Sequence, residues 1–428
     1  SLHELHRIGL WPRPRHKSLV SPGCHALEHA KFVGGLPLHT SLAEPCATEV
    51  EPCMTEDEFI RSEVARFALK SPRPLSMQDV LDMLDPERIA KFLHVEVLVR
   101  FAERIRSIQD IPEWEEVPEL ADVCAAHTHA FRELRLVKRQ PTMDQFTRVV
   151  RRILKSQRNL PKTVAFAMHR LRVERGPEYG SSFADRWLDD FLLNCIGTEM
   201  LMGQYLACVA MQHKRTAHTF KGGVIDPDCN LPQLCRDVAV DVRQMCKDYT
   251  GCAPIIRTKV YQENGEPRVC HVPGFLKFIL TEVLKNSCRA TAEIVKTKRH
   301  LKKRPINIIL CADEHHASIR ITDRAGGIPF EVGSHVWSYL YTTRSKGQGR
   351  YGERATSLAG YGVGLPISRL YAKYLGGSLN LISMPGYGCS AYLFLSRLSG
   401  EQREVVPDCH GTDHRPDEGG PERASGGT

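Results

Sequence analysis

Between Thr55 and about His218 the apolar positions recur with a helical period. In RIAKFLHVEVLVRFAERIRSI (88–108), Ile89, Phe92, Leu93, Val97, Leu98, Phe101, Ile105 and Ile108 return every three or four residues. That spacing predicts a helix with one buried stripe, and Pro112 stops it. Further helices are predicted over Pro118–Leu136, Met143–Ser156 and Leu160–Glu174. The longest runs from Phe183 to Gln212, with Phe183, Trp187, Leu188, Phe191, Cys195, Met202, Leu206 and Val209 as its stripe. A Met- and aromatic-rich stripe of this kind is read as core. Long helices in series with short breaks predict an antiparallel bundle.

The pattern changes after the turn-rich stretch KGGVIDPDCN (221–230). Leu231–Tyr249 reads as a helix, and Ile255–Tyr261 and Pro267–Val272 as strands, with Glu263-Asn264-Gly265 predicted as the hairpin turn between them. A helix carrying TEVLKNSCRA (281–290) follows, then strands at 305–312 and 317–322. A helix opens at Leu365–Pro366 and ends at Gly376-Gly377. SLNLIS and CSAYLFLS then predict a hairpin around PGYG. The expected fold class is α+β: an N-terminal helical bundle followed by an α/β sandwich with a mixed, mostly antiparallel sheet. The expected segments are a leader over 1–54, a bundle domain over 55–225, a second domain over 226–398, and a disordered tail over 399–428.

The second domain carries the chemistry. Glu282 and Asn286 lie four residues apart, hence on one helix face. Asn286 offers a neutral carbonyl that can coordinate Mg²⁺ while substrate phosphates complete the octahedron. Lys285 and Arg289 bring cations to the same turns, and Glu282 is placed to act as general base. In ITDRAGGI (321–328), a strand delivers Asp323 into a glycine turn that includes Gly327 and Ile328; Asp323 can accept a hydrogen bond from an adenine amino group. In AGYGVGLPIS (359–368), the run Gly360, Tyr361, Gly362, Val363, Gly364 and Leu365 opens a new helix, whose free N–H groups and dipole favour phosphate. Each motif alone is common in ordinary helices and turns. Their order, each on the expected element, points to an ATP site.

Composition narrows the partners. The 428 residues are enough for two or three domains, and 42% hydrophobic with 25% charged residues is ordinary for a globular protein. Net charge is +8, partly concentrated in KTKRHLKKR (296–304), which reads as a solvated loop without the aromatic interleaving of a nucleic-acid surface. Fifteen cysteines are scattered without CxxC spacing, so reduced thiols of a cytosolic or organellar compartment are expected in place of zinc ribbons or redox dithiols. The longest apolar run in the Phe183 helix, Met200 to Gln212, is too short to span a bilayer. The first half of residues 1–54 is basic and proline-interrupted; this suits either the remnant of an organelle transit sequence or a disordered leader.

The ordered motifs resemble the ATP-binding boxes of the superfamily that unites histidine kinases, gyrase, the Hsp90 chaperones and mismatch-repair ATPases. Within it, GYGVGLPISRLYAKYLGGSLNLISMPGYG, VIDPDCN and FLHVEVLVRFAERI are similar to the mitochondrial protein kinases of pyruvate dehydrogenase and branched-chain ketoacid dehydrogenase. The similarity covers roughly residues 70–398. It implies a matrix kinase that uses ATP and Mg²⁺ to phosphorylate serines on the dehydrogenase alpha subunit. It also implies a bundle that docks on lipoyl domains of the acyltransferase core, and a homodimer formed through the C-terminal domain. By this resemblance Glu282 is the general base, Asn286 the Mg²⁺ ligand and Asp323 the adenine aspartate. Thr342 and Thr343 line the nucleotide, Gly360, Gly362 and Gly364 are the phosphate glycines, and Arg344–Leu358 is the ATP lid.

The departures from the family pattern are specific. Ala325 takes the first glycine position of the aspartate box, where a methyl group is harmless only if the backbone is not left-handed. Cys389 replaces a threonine beside the adenine, Phe278 stands one turn before Glu282 in place of a histidine or tyrosine, and Tyr205 replaces a histidine on the long helix. The tail lacks an aspartate-tryptophan pair. GLPISRLYAKY and IDPDCN favour pyruvate dehydrogenase as substrate, whereas LGGSL and Phe278 favour the branched-chain enzyme. A non-kinase ATPase or histidine kinase of the superfamily, or a scaffold that keeps the fold without turnover, are the competing readings.

Overall fold

The computed structural model describes residues 55–137, 142–176, 179–213, 224–261, 267–294, 298–313, 316–341, 362–374, 376–396 and 403–404. Thr342, Thr343, Gly360, Tyr361 and the stretch Arg344–Leu358 therefore lie outside the described residues, as does the leader 1–54. Residues 60–428 form one compact unit; residues 1–59, of which 55–59 are described, are a separate one.

The first half is helical: α1 (Glu56–Ala68), α2 (Met77–Asp82), α3 (Pro86–Gln109), α4 (Pro118–Leu136), α5 (Met143–Ser156), α6 (Leu160–Arg175) and α7 (Ser181–His213). Local chemistry sets several starts. Ser76 and Asp79 form a capping box on α2. Asp85 caps α3 ahead of Pro86, and Thr142 caps α5. α3 packs on α4 and α7, α4 on α6, and α7 on α5 and α6. The predicted stripes face inward: Phe101 and Phe131 are fully buried and Trp187 nearly so, stacked on Phe191. Each such side chain contributes about 1.5–3 kcal/mol of burial. Tyr205 is buried too, bonded to Thr147 at 2.7 Å.

The second half contains β1 (Asp226–Asn230), α8 (Leu231–Thr250), β2 (Ile256–Tyr261), β3 (Arg268–His271), α9 (Pro273–Ile294), α10 (Lys298–Lys302), β4 (Ile306–Ala312), β5 (His316–Thr322), α11 (Phe330–Gly333), α12 (Gly364–Tyr374), β6 (Ser378–Met384) and β7 (Gly388–Ser396). A five-stranded sheet has the order β2-β4-β5-β7-β6. Only β2–β4 is parallel in it; the other pairs are antiparallel, which gives the expected mixed sheet. One face is the core: Ile308 pairs with Ile321, and Ile319 with both Leu310 and Leu393. Helices α8 and α9 pack together, and α12 packs on α9, α7 and β6.

The predicted hairpin between β2 and β3 does not form. β2 runs parallel beside β4, while β3 pairs antiparallel with β1 in a separate two-stranded sheet. The reason is tertiary: Val269 and Cys229 sit opposite each other and bury their side chains in the core, and this outweighs a local turn signal. It also turns DPDCN, poor in strand formers, into a strand. In the tail, Arg403 bridges to Ser76, and Glu404 places a buried carboxylate between Arg100 and the Tyr374 hydroxyl. No helix among the described residues is long and apolar enough to cross a membrane. The described cysteines are free thiols.

Candidate active site

The site is built on α9. Its buried face, Ile279, Leu280, Val283 and Leu284, locks it onto the sheet and leaves Glu282 and Asn286 half-buried on the other side. Lys285 is buried and donates from Nζ to Glu282 Oε1 at 2.8 Å. This bond orients the carboxylate, a task that Phe278 cannot perform; Phe278 instead packs edge-on against Tyr371. The Asn286 side chain makes no hydrogen bond among the described residues, so its carbonyl is available to a ligand. Arg289, one turn further, lies 3.9 Å from Glu293.

The glycine run arrives at the same carboxylate. Gly362 has φ +77 and Gly364 begins α12. A Cβ built on Gly364 would lie 2.2 Å from Glu282 Oε2. Glycine at this position lets the helix N-terminus, with its free N–H groups, approach the carboxylate directly. Val363 and Leu365 support the run, the first buried and the second packed against the core. The bundle also contributes: burial holds the Lys162 amine on α6 below its ordinary pKa, the Lys285 cation adds to that, and Glu282 opposes it. Lys162 thus belongs to the same electrostatic cluster, and nothing in the periodicity of α6 signalled this.

Asp323 closes the opposite end. Its carboxylate is buried, with Oδ1 accepting the backbone N–H groups of Ala325 at 3.0 Å and Cys389 at 3.3 Å. Oδ2 accepts the Ser287 hydroxyl at 2.8 Å. Ser287 is the neighbour of Asn286, so one helix carries both Asn286 and the hydroxyl that anchors Asp323. Three of the roughly four acceptor sites of a carboxylate are filled, which leaves one for a ligand. Ala325 is not left-handed, so its methyl group introduces no backbone strain, while Gly326 and Gly327 take φ +84 and +73. A Cβ on Gly327 would fall 2.3 Å from the Met384 carbonyl, and the Ile328 N–H donates to Ser383 Oγ at 2.6 Å. These two residues therefore staple the aspartate turn to the β6–β7 hairpin. The Cys389 thiol is pushed up to about 12, first by burial and then by the Asp323 charge.

Together, the described residues offer a buried carboxylate with an acceptor site open, a free amide carbonyl, a carboxylate fixed by a lysine, and a helix N-terminus. That set fits ATP with Mg²⁺: an ion held mainly by phosphate and water needs few protein oxygens. No cluster of three or more His, Cys, Asp or Glu suited to a metal ion exists among the described residues.

Residues 74–226 match the family model described as mitochondrial branched-chain alpha-ketoacid dehydrogenase kinase, and residues 271–398 match the histidine kinase-, DNA gyrase B- and HSP90-like ATPase model. The chain is 30% identical over 366 residues to the mitochondrial pyruvate dehydrogenase (acetyl-transferring) kinase isozyme 4 of Rattus norvegicus, covering 82% of this chain and 87% of that relative. It is 30% identical over 373 residues to the same isozyme of Homo sapiens, again covering 82% and 87%. It is also 30% identical over 360 residues to the mitochondrial pyruvate dehydrogenase (acetyl-transferring) kinase of Ascaris suum, covering 81% and 89%. The chain therefore belongs to the family of mitochondrial protein kinases that includes the pyruvate dehydrogenase and branched-chain ketoacid dehydrogenase kinases.

Proposed function

We propose that this chain is an ATP-dependent protein serine kinase of the mitochondrial matrix that phosphorylates the alpha subunit of pyruvate dehydrogenase. The observation that carries the reading is the contact of Glu282 with the N-terminus of α12 across Gly364, which sets a proton acceptor beside a phosphate cradle. Glu282 takes the proton of the substrate serine hydroxyl while the serine oxygen attacks the γ-phosphorus, and the bond to the ADP oxygen breaks. Lys285 holds Glu282 in place. Asp323 receives the adenine amino hydrogen, and the N–H groups at Gly364 and beyond take phosphate oxygens. Asn286 would hold Mg²⁺, which would supply positive charge to offset that of the phosphates.

The bundle would dock on lipoyl domains of the acyltransferase core. A homodimer through the C-terminal domain is supported by the sheet face opposite the helices, where Ile382, Met384 and Phe394 are exposed. The branched-chain enzyme is the second candidate substrate, because the family description matched by residues 74–226 names its kinase. Incubation with labelled ATP and each purified dehydrogenase tests the assignment. Label on a serine of the pyruvate dehydrogenase alpha subunit is expected. Label only on the branched-chain enzyme would reverse the choice, and label on neither would refute the kinase reading.

A further inference from the structure

Two carboxylates of the bundle reach the root of the glycine run. Asp185 and Asp189 are one turn apart on α7, hence on one face. The Tyr339 N–H donates to Asp185 Oδ1 at 3.1 Å, and the Tyr339 hydroxyl donates to Asp189 Oδ1 at 2.8 Å. The other oxygen of Asp189, Oδ2, accepts Arg369 Nη2 of α12 at 3.1 Å. The Arg369 guanidinium also lies over the Trp337 ring, 5.4 Å from its centroid. Asp189 thus holds the chain on both sides of residues 342–361.

The two sides are joined to each other as well. The Leu340 N–H donates to the Gly362 carbonyl at 3.1 Å, and a Cβ on Gly362 would sit 2.5 Å from the Tyr341 carbonyl. Leu340 is left-handed, φ +59, which is uncommon for a bulky non-glycine residue. Such a conformation persists only where its surroundings over-determine it, and the Asp185–Tyr339–Asp189 bonds are those surroundings. Tyr339 is buried, and its hydroxyl is held protonated by burial and by the Asp189 carboxylate, so it remains a donor.

We propose that Asp189 is a positioning residue for the nucleotide. Through Arg369 it ties α12 to α7, and through Tyr339 it holds the segment that bonds to Gly362, and so sets ATP affinity from within the bundle. The inference rests on the ATP reading given above. It assigns no contact between Asp189 and ATP; the aspartate acts through the two groups that it holds.

The test uses the full chain in three variants, Asp189→Ala, Asp189→Asn and Tyr339→Phe, with calorimetric titration of ATP and steady-state phosphorylation. Asp189→Ala should weaken ATP binding at least fivefold and raise its KM in step, while kcat at saturating ATP changes less than threefold. Asp189→Asn keeps a neutral acceptor for Tyr339 and should recover part of that affinity. Tyr339→Phe removes one hydroxyl from a folded protein, and a two- to fivefold loss of affinity is expected. ATP affinities within twofold of wild type in folded Asp189→Asn and Tyr339→Phe would overturn the proposal, as would a loss confined to kcat. Wild type that itself fails to bind ATP would overturn the ATP reading and this proposal with it; wild-type binding with unchanged variants overturns this one alone.

Discussion

Gly364 and Glu282 are in contact, the glycine so close that a Cβ on it would lie 2.2 Å from the carboxylate oxygen Oε2. The helix that carries the general-base candidate and the glycine run that opens α12 are thereby fixed together. Gly364→Ala should displace Glu282 from Lys285 without unfolding α12, because the atom encountered is the end of a side chain. A displacement of about 1 Å at a reacting group can lower rate about 10²-fold. Phosphorylation assays paired with circular dichroism check this, and full activity in a folded Gly364→Ala variant would refute the contact's role.

Asp323 is held by Ser287 and two backbone N–H groups. Asp323→Asn can present an amide donor to the adenine amino donor, so ATP should bind about ten- to a hundredfold more weakly, as expected from losing a charge-assisted bond of about 1.5–3 kcal/mol. Ser287→Ala removes one neutral bond of about 1 kcal/mol and should weaken ATP by less. GTP, with a carbonyl in place of the amino group, should be rejected by wild type. Calorimetry with both nucleotides decides the matter.

Cys389 gives its backbone N–H to Asp323, and its half-buried thiol is held in the neutral form. Cys389→Thr should therefore leave the aspartate anchored and add a hydroxyl near the base. A gain in ATP binding below about 1.5 kcal/mol is expected. A loss would show that the pocket has repacked around sulfur.

His127 sits buried between Phe101 and Phe191, with Nδ1 2.8 Å from the Val123 carbonyl. Burial, helped by the Arg104 cation, lowers its pKa from 6.5 to about 3. The unfolded chain takes up the proton first on acidification, so this contribution to stability is complete above pH 6.5 and is lost progressively as pH falls toward about 3. Denaturant unfolding at pH 7.5 and pH 5 should show the decline, and His127→Leu should reduce it. An equal pH dependence in both proteins would contradict this.

Much of the fold was legible because its signals are local. Helical periods and Gly376-Gly377 as a helix stop lie within a few residues of what they determine. The order of Glu282, Asn286, Asp323 and the glycine run was equally readable. The β1–β3 pairing was not, because it depends on burying Val269 against Cys229, a contact that no short window contains. Ser287, Lys162, Asp185 and Asp189 were missed for a related reason. Each is an ordinary residue on an amphipathic helix until the tertiary fold aims it at Asp323, Glu282 or Tyr339.

Glu282→Gln separates nucleotide binding from phosphoryl transfer. Calorimetric titration with Mg²⁺–ATP and single-turnover transfer of labelled phosphate to the dehydrogenase would be measured on the same preparation. Glu282→Gln should bind Mg²⁺–ATP as wild type does and transfer phosphate about 10²–10⁴-fold more slowly, the range for loss of a general base. Transfer at the wild-type rate by this variant would remove Glu282 from the mechanism and contradict the account.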